Sequence, residues 1–133
     1  MARDQLQTLT EPMYYILLSL YRENYGYEIM ESVKEISNNR VEVGPGTLYP
    51  ILARFEKEGI IKLIPSEGRR KNYIITDEGK DLVAEEINRL KNLLTDGELY
   101  ASEERKSPEE EKAEEVEKEK PVFKRPEDEF FLY

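Results

Sequence analysis

Residues 60 to 75 have the composition of a β-hairpin, whereas helical periodicity dominates the residues before them. Ile60 to Ile64 and Asn72 to Ile75 are β-prone runs, and Pro65-Ser66-Glu67-Gly68 between them is a turn sequence. Arg69-Arg70-Lys71 follows this turn directly. The sequence therefore predicts a protruding two-stranded ribbon with three cations at its tip.

Two short amphipathic helices are predicted near the start of the chain. Thr10-Glu11-Pro12 combines a capping residue with an early proline, and apolar residues then recur at i, i+3, i+4 and i+7 from Met13. This helix is expected to end near Asn24. After a break at Tyr25-Gly26, a second helix is expected from about Tyr27 to Ser37. Because few turn residues separate the two helices, they should cross steeply.

A third helix follows a very short strand that is expected at Val41 to Val43 and a turn at Gly44-Pro45-Gly46. Thr47 is the expected cap of this helix, and Gly59 is expected to end it in a left-handed conformation. One arc of the helix is apolar and should be buried; it contains Leu48, Ile51, Leu52 and Phe55. The opposite face is small at its centre and basic or aromatic at its edges, so another surface could approach it closely; it contains Pro50, Ala53 and Lys57, flanked by Tyr49 and Arg54.

A fourth helix should begin after Thr76 and end at Asp96-Gly97. It carries apolar residues at the 4-3-4 spacing of a coiled-coil seam: Val83, Ile87, Leu90 and Leu94. Exposure of such an apolar seam to water is unfavourable, so we expect it to pack against a second copy of the chain, together with Met13 and Leu17 of the first helix. Packing of the seam on its own domain is the alternative.

The charge of the chain is distributed unevenly. The net charge of the 133 residues is −9, with 13 basic and 16 acidic residues before position 98 and 7 basic and 13 acidic residues from there to the end. Residues 98 to 133 are therefore expected to form an acidic, flexible tail, whereas 1–76 and 77–97 form the main domain and a dimerisation helix. Phe130-Phe131-Leu132-Tyr133, at the end of this tail, is either a docking peptide or a segment that is buried on the chain itself.

Several classes of protein are disfavoured by what the sequence lacks. There is no Cys and no His, which excludes disulfide frameworks, Cys-based zinc sites and His-dependent acid/base chemistry, and no metal or cofactor is expected. The longest apolar run, Met13 to Leu18, is far shorter than the ~20 residues that a membrane helix needs. Carboxylate pairs such as Glu85-Glu86 are expected to lie on an outer helix face with no cleft beside them. We therefore expect a cytoplasmic protein that is not an enzyme and does not enter a membrane.

The order of the elements predicts a mainly α fold with a small β-hairpin, the winged helix-turn-helix, followed by the C-terminal dimerisation helix. In that fold the third helix enters a DNA major groove and the hairpin, or wing, contacts the backbone or the minor groove. Winged helices also serve as protein-interaction modules that do not bind DNA. The acidic pI of about 4.7 supports this alternative.

Three linked motifs resemble a known family. They are Tyr25-Gly26-Tyr27-Glu28-Ile29, the run from Gly46 to Leu52 (GTLYPIL), and the run from Arg69 to Gly79 (RRKNYIITDEG). At these separations they resemble the PadR family of bacterial transcriptional regulators, in its short C-terminal subgroup. The resemblance implies a dimeric winged-helix repressor. The acidic tail is not part of the family pattern, and the absence of Trp gives no support to a drug-stacking site built on that residue.

The residues expected to contact DNA lie on the third helix, at the start of the second helix and on the wing: Tyr27, Thr47, Tyr49, Pro50, Arg54, Lys57, Arg69, Arg70 and Lys71. Each has a structural alternative: helix-start residues for Tyr49 and Pro50, solvated charges for the cations, and core packing for Tyr27. A homodimer would present two such surfaces to a pseudo-palindromic operator with half-sites about 34 Å apart. A small-molecule inducer of unknown identity could act by rotating the seam helices.

Overall fold

The computed structural model describes residues 8–101, which form four helices and a three-stranded antiparallel sheet. The elements in chain order are α1 (Glu11–Ser19), β1 (Asn24–Tyr25), α2 (Gly26–Ile36), α3 (Pro45–Lys57), β2 (Ile61–Ile64), β3 (Asn72–Ile75) and α4 (Asp77–Ala101). The strand order is β1-β3-β2. The predicted fold class, a winged helix-turn-helix with a small hairpin, is confirmed.

α1 begins as predicted but ends earlier. The Thr10 hydroxyl accepts a hydrogen bond from the Met13 N–H at 3.4 Å. The helix ends at Ser19 rather than near Asn24, because the Leu20 carbonyl accepts a hydrogen bond from the Ile75 N–H at 2.8 Å. The next segment then pairs with β3 as β1, a strand that the sequence analysis did not predict.

The connection from α2 to α3 is a tight turn and not a strand. Asn38 and Asn39 have φ values of 55° and 64°, and the buried Ser37 hydroxyl accepts a hydrogen bond from the Val41 N–H at 3.0 Å. The expectation of a strand at Val41 to Val43 was wrong, although both valines are buried. The buried side chains of Val41 and Val43 anchor the turn, and the Val41 N–H donates to the Ser37 hydroxyl and not to a neighbouring strand.

α3 begins before its predicted boundary. Gly44 is the N-cap and Pro45 is the first helical residue, so Thr47 lies inside the first turn and does not cap the helix. The fixed φ of proline suits the first helical position, where its missing N–H costs nothing. Leu48, Leu52 and Phe55 are fully buried or nearly so, and Gly59 ends the helix with a φ of +76°, as predicted.

α4 is longer than predicted. Thr76 caps it, since its hydroxyl accepts a hydrogen bond from the Gly79 N–H at 3.1 Å. The helix continues through Gly97 to Ala101, so the expected stop at Asp96-Gly97 was wrong. The φ of Gly97 is not positive, in contrast to those of Gly59 and Gly68, and glycine ends helices mainly when it takes the left-handed conformation.

The chain divides into two compact units at the junction between Glu86 and Ile87, within α4. The first unit contains the core, where α1 packs on α2 and α3 packs on the hairpin. Its largest fully buried side chains are Phe55, Ile16, Leu17, Leu20, Ile29, Leu48, Leu52, Ile60 and Ile61. In the described part of the second unit, the side chains of the α4 helix are largely exposed.

Candidate nucleic-acid interface

The outward face of α3 is exposed along its whole length. Thr47, Pro50 and Lys57 are exposed, and 53% of the Tyr49 side chain is accessible. The buried residues of α3 hold this helix against the core, so its outward face is presented as a fixed surface. The prediction that these residues contact DNA is compatible with their exposure and stays a prediction.

Tyr49 lies directly over the start of α2. A Cβ atom built on Gly26 would collide with the Tyr49 hydroxyl oxygen and would lie 3.0 Å from its Cζ atom. Only glycine leaves room for the ring there. The contact joins two of the sequence motifs, because Gly26 belongs to YGYEI and Tyr49 belongs to GTLYPIL.

The wing is formed by β2 and β3, which pair from Ile61 opposite Ile75 to Ile64 opposite Asn72. Gly68 in the connecting turn has a φ of +84°, and the Ser66 hydroxyl donates a hydrogen bond to the Arg70 carbonyl at 2.6 Å. The Arg70 guanidinium lies over the ring of Tyr25, with its carbon 4.2 Å from the ring centroid. This is within the range of a cation–π interaction.

An open cleft of about 620 Å³ lies between the wing, the start of α2 and α3. It brings together five of the residues predicted to bind DNA: Tyr27, Tyr49, Arg69, Arg70 and Lys71. Thr47, Pro50, Arg54 and Lys57 do not line it. Tyr27 is 65% exposed, so it is not a core residue. Four further lining residues were not predicted from the sequence to bind DNA: Tyr25, Ala53, Glu56 and Tyr73. The available signals were the place of Ala53 on the outward face of α3 and the places of Tyr25 and Tyr73 in the first and third motifs.

Tyr73 carries a hydroxyl group on the cleft wall. Burial raises the pKa of this hydroxyl above its ordinary value, and the nearby Glu56 and Tyr49 raise it further. The phenol is therefore neutral near pH 7 and retains a proton that it can donate. Tyr73 lines the same cleft as the three wing cations and the Glu56 carboxylate.

Arg54 forms an ion pair within its own helix. Its Nε lies 3.3 Å from the Glu58 Oε2, and Glu58 is only 6% exposed. A buried carboxylate needs such a partner, because an unpaired buried charge is strongly destabilising. Arg54 therefore has a structural role in the described part of the chain, and its contact with DNA stays a prediction.

The residues predicted to form the dimer seam have different environments. Leu17 and Val83 are 0% and 1% exposed in the core of their own chain. A side chain with no accessible surface gains no contact with a second copy, so these two residues belong to the core. Met13 and Ile87 are half-buried, and Leu90 and Leu94 are 39% and 53% exposed. The dimerisation prediction therefore depends on these four residues.

Two features are absent from residues 8–101. No helix in this part of the chain has the length and hydropathy required to cross a lipid bilayer. Acidic side chains in the same residues do not cluster in groups of three or more that could hold a metal ion. The tail from position 102, with its terminal Phe130-Phe131-Leu132-Tyr133, lies outside the described residues.

Comparison with known proteins identifies related sequences. A family model described as the transcriptional regulator PadR-like family matches residues 16–85. An uncharacterized protein X of Lysinibacillus sphaericus is 35% identical over 72 residues, which are 51% of this chain and 66% of that protein. Transcriptional regulator YqjI of Escherichia coli K12 is 24% identical over 63 residues, 47% of this chain and 30% of that protein. The chain thus matches less than two thirds of the length of these relatives.

Solved structures of similar fold include two bacterial regulators. A transcriptional regulator from Clostridium thermocellum superposes with a TM-score of 0.59 at 26% identity, over 67% of this chain and 90% of that one. A PadR family transcription regulator from Clostridium difficile R20291 has a TM-score of 0.56 at 28% identity, over 68% and 98% of the two chains. With a family model that matches more than half of its length, the chain belongs to the PadR-like family of transcriptional regulators.

Proposed function

We propose that this protein is a sequence-specific DNA-binding repressor that acts as a homodimer. The observation that supports this proposal best is the cleft that joins the exposed face of α3 to the three cations of the wing. A helix with small central residues and a cationic ribbon beside it have the shapes of a major groove reader and a backbone contact. The acidity of the chain does not conflict with this function, because three consecutive cations, Arg69, Arg70 and Lys71, line the cleft itself.

In the proposed complex, α3 lies in the major groove with Thr47, Tyr49 and Pro50 toward the bases. Pro50 and Ala53 have no side-chain donor, so their contribution is close approach and apolar contact, for example with thymine methyl groups. The wing cations neutralise phosphates and release counterions. Base contacts then supply specificity, and phosphate contacts supply orientation and much of the affinity.

The homodimer is proposed to form through the exposed apolar side chains of α4. Two-fold symmetry would place the two α3 helices on the half-sites of a pseudo-palindromic operator about one helical turn, or ~34 Å, apart. Repression would follow because the bound dimer blocks access of RNA polymerase to the promoter. The repressor would act in the cytoplasm, where its operator lies.

The test measures, by fluorescence anisotropy across a salt series, how tightly the protein binds a double-stranded DNA fragment from upstream of its own gene. Changing Arg69, Arg70 and Lys71 together to Ala should weaken binding and reduce the salt slope by about 0.9 for each phosphate that the wing no longer neutralises. The control variant changes three other cations, Arg22, Lys34 and Lys80, together to Ala. It removes the same charge from positions that do not line the cleft.

Three outcomes would count against the proposal or a part of it. An unchanged slope in the wing variant would remove the wing from the DNA interface, and an equal change in the control would show only an effect of net charge. If the unmodified protein has no affinity for promoter DNA at low ionic strength, the proposed function is wrong. A winged helix that binds another protein would then be the better explanation, in accord with the pI of about 4.7.

A further inference from the structure

We propose that Tyr25 is a positioning residue that holds Arg70 ready to bind a DNA phosphate. This inference rests on the proposed function and adds a specific role for a residue that does not need to touch DNA. Its basis is that Arg70 lies against an aromatic ring in the cleft, whereas Arg69 and Lys71 have no hydrogen bond or ion pair in the described part of the chain.

The backbone that carries the Tyr25 ring is held by the fold. The Tyr25 N–H donates a hydrogen bond to Asn24 Oδ1 at 2.9 Å. The Asn24 amide is buried and donates to the Ser19 carbonyl and the Ser32 hydroxyl, each at 3.3 Å. Tyr25 also pairs with Asn72 in the sheet. The ring therefore stands on a fixed part of the first unit, beside the strand that follows the wing cations.

The backbone of Arg70 is held as well. The Ser66 hydroxyl donates to the Arg70 carbonyl at 2.6 Å across the turn. Two residues further on, the Asn72 amide donates to Glu23 Oε1 at 2.8 Å, which fixes the base of the wing against the segment before β1. The backbones of Tyr25 and Arg70 are thus both fixed by hydrogen bonds.

The geometry suits a phosphate contact. A guanidinium that stacks by its face keeps its N–H edges free, and those edges can donate two parallel hydrogen bonds to a phosphate. A free arginine loses conformational freedom when it binds, whereas one already held over a ring loses less. Lys71 lacks this planar fork, so the two cations are not equivalent. Arg70 is then the wing residue whose binding to a DNA phosphate depends on an aromatic neighbour.

The experiment compares Tyr25→Leu with Tyr25→Phe in the full chain. Exposed cation–π contacts correspond to about a two- to fivefold change in an equilibrium constant. Tyr25→Leu should therefore weaken binding to the promoter fragment about two- to fivefold per wing, whereas Tyr25→Phe keeps the ring and should bind like the unmodified protein. A structural role of the ring would instead appear in the thermal melting of each variant.

A double-mutant cycle then tests whether Tyr25 acts through Arg70. In an Arg70→Gln background, Tyr25→Leu should weaken binding no further, because its target charge is absent. The matched control is an Arg69→Gln background, in which the effects of Tyr25→Leu and of the arginine substitution on binding should add. Equal weakening by Tyr25→Leu and Tyr25→Phe, or additivity with Arg70→Gln, would overturn the inference.

A second measurement on the free protein separates this inference from the proposed function. Ring currents from Tyr25 should displace the Arg70 Nε–Hε signal in a two-dimensional NMR spectrum, and Tyr25→Leu but not Tyr25→Phe should return it to a solvent-exposed value. An unchanged signal in Tyr25→Leu overturns the stacking. DNA binding with an additive cycle overturns the positioning role alone, and no DNA binding by the unmodified protein overturns both proposals.

Discussion

Two glycines in the same helix should respond in opposite ways to the same substitution. Gly79 is the third residue of α4, and Gly97 lies near its end. Neither has a positive φ, so helix propensity alone favours Ala at both by up to about 1 kcal/mol. Their surroundings are different. A Cβ at Gly97 meets nothing within 4 Å, whereas a Cβ at Gly79 would collide with the Ile60 carbonyl oxygen.

The collision at Gly79 is costly because its neighbours cannot move freely. The Cβ would also lie 2.6 Å from Ile75 Cγ1 and 3.1 Å from Ile60 Cγ2, both in buried side chains. The Ile60 carbonyl accepts hydrogen bonds from the Thr76 N–H at 3.0 Å and the Thr76 hydroxyl at 2.9 Å. Overpacking of a core costs ~1–3 kcal/mol, and weakening these hydrogen bonds adds about 1 kcal/mol.

Gly79→Ala should therefore lower the free energy of unfolding by about 2 kcal/mol after the propensity gain is deducted. For a domain of this size, a change of about 1 kcal/mol corresponds to roughly 4–8 °C in Tm, so Tm should fall by roughly 8–16 °C. Gly97→Ala should leave Tm unchanged or raise it by a few degrees. The Tm of each variant is measured by far-UV circular dichroism melts. Two protein concentrations are used, because association of the chain would make Tm depend on concentration. Equal or higher Tm in Gly79→Ala would refute the packing argument.

The other predictions concern the interface. Gly26→Ala should displace the Tyr49 ring, and because the hydroxyl is the free end of a side chain, Tm should change little. The affinity of the protein for promoter DNA should nevertheless fall. In the Gly26→Ala background, Tyr49→Ala should then weaken DNA binding little further. Unchanged affinity in Gly26→Ala would show that the ring position is irrelevant. Changing Leu90 and Leu94 together to Asp should shift sedimentation toward monomer and abolish operator binding, whereas Leu99→Asp, an exposed residue off the seam, should do neither. A persistent dimer in the double variant would contradict the proposed seam.

Elements with strong local chemistry could be predicted from the sequence. The hairpin strands, the buried face of α3 and the Gly59 cap depend on β-propensity, on a helical period and on a left-handed residue, each of which a short segment encodes. The α3 start was misplaced because Thr47 resembles a cap, although Pro45 at the first helical position was the better signal. At Gly97, the helix formers nearby outweigh the roughly 1 kcal/mol that a glycine costs.

β1 could not be predicted, because no local sequence signal specifies a strand at these residues. Asn24 and Tyr25 form a strand of two residues, and Asn is not a strand former. The strand is specified by the free edge of β3, whose Tyr73 and Asn72 lie opposite these residues in the register. A pairing between positions so distant in the chain leaves no periodic pattern in either segment. The cleft wall that depends on this pairing was therefore also hidden, even though its cations were found.

The two residues at the junction of β1 and α2 connect both halves of the proposed interface. The Tyr25 ring lies under the Arg70 guanidinium of the wing, and Gly26 leaves room for the ring of Tyr49 from α3. The wing and α3 must keep a fixed separation if one is to follow the DNA backbone while the other enters the groove. Because neighbouring residues carry these contacts, the backbone of this short segment sets that separation. In the proposed complex, the Tyr25-Gly26 pair would therefore act as a spacer between the wing and α3.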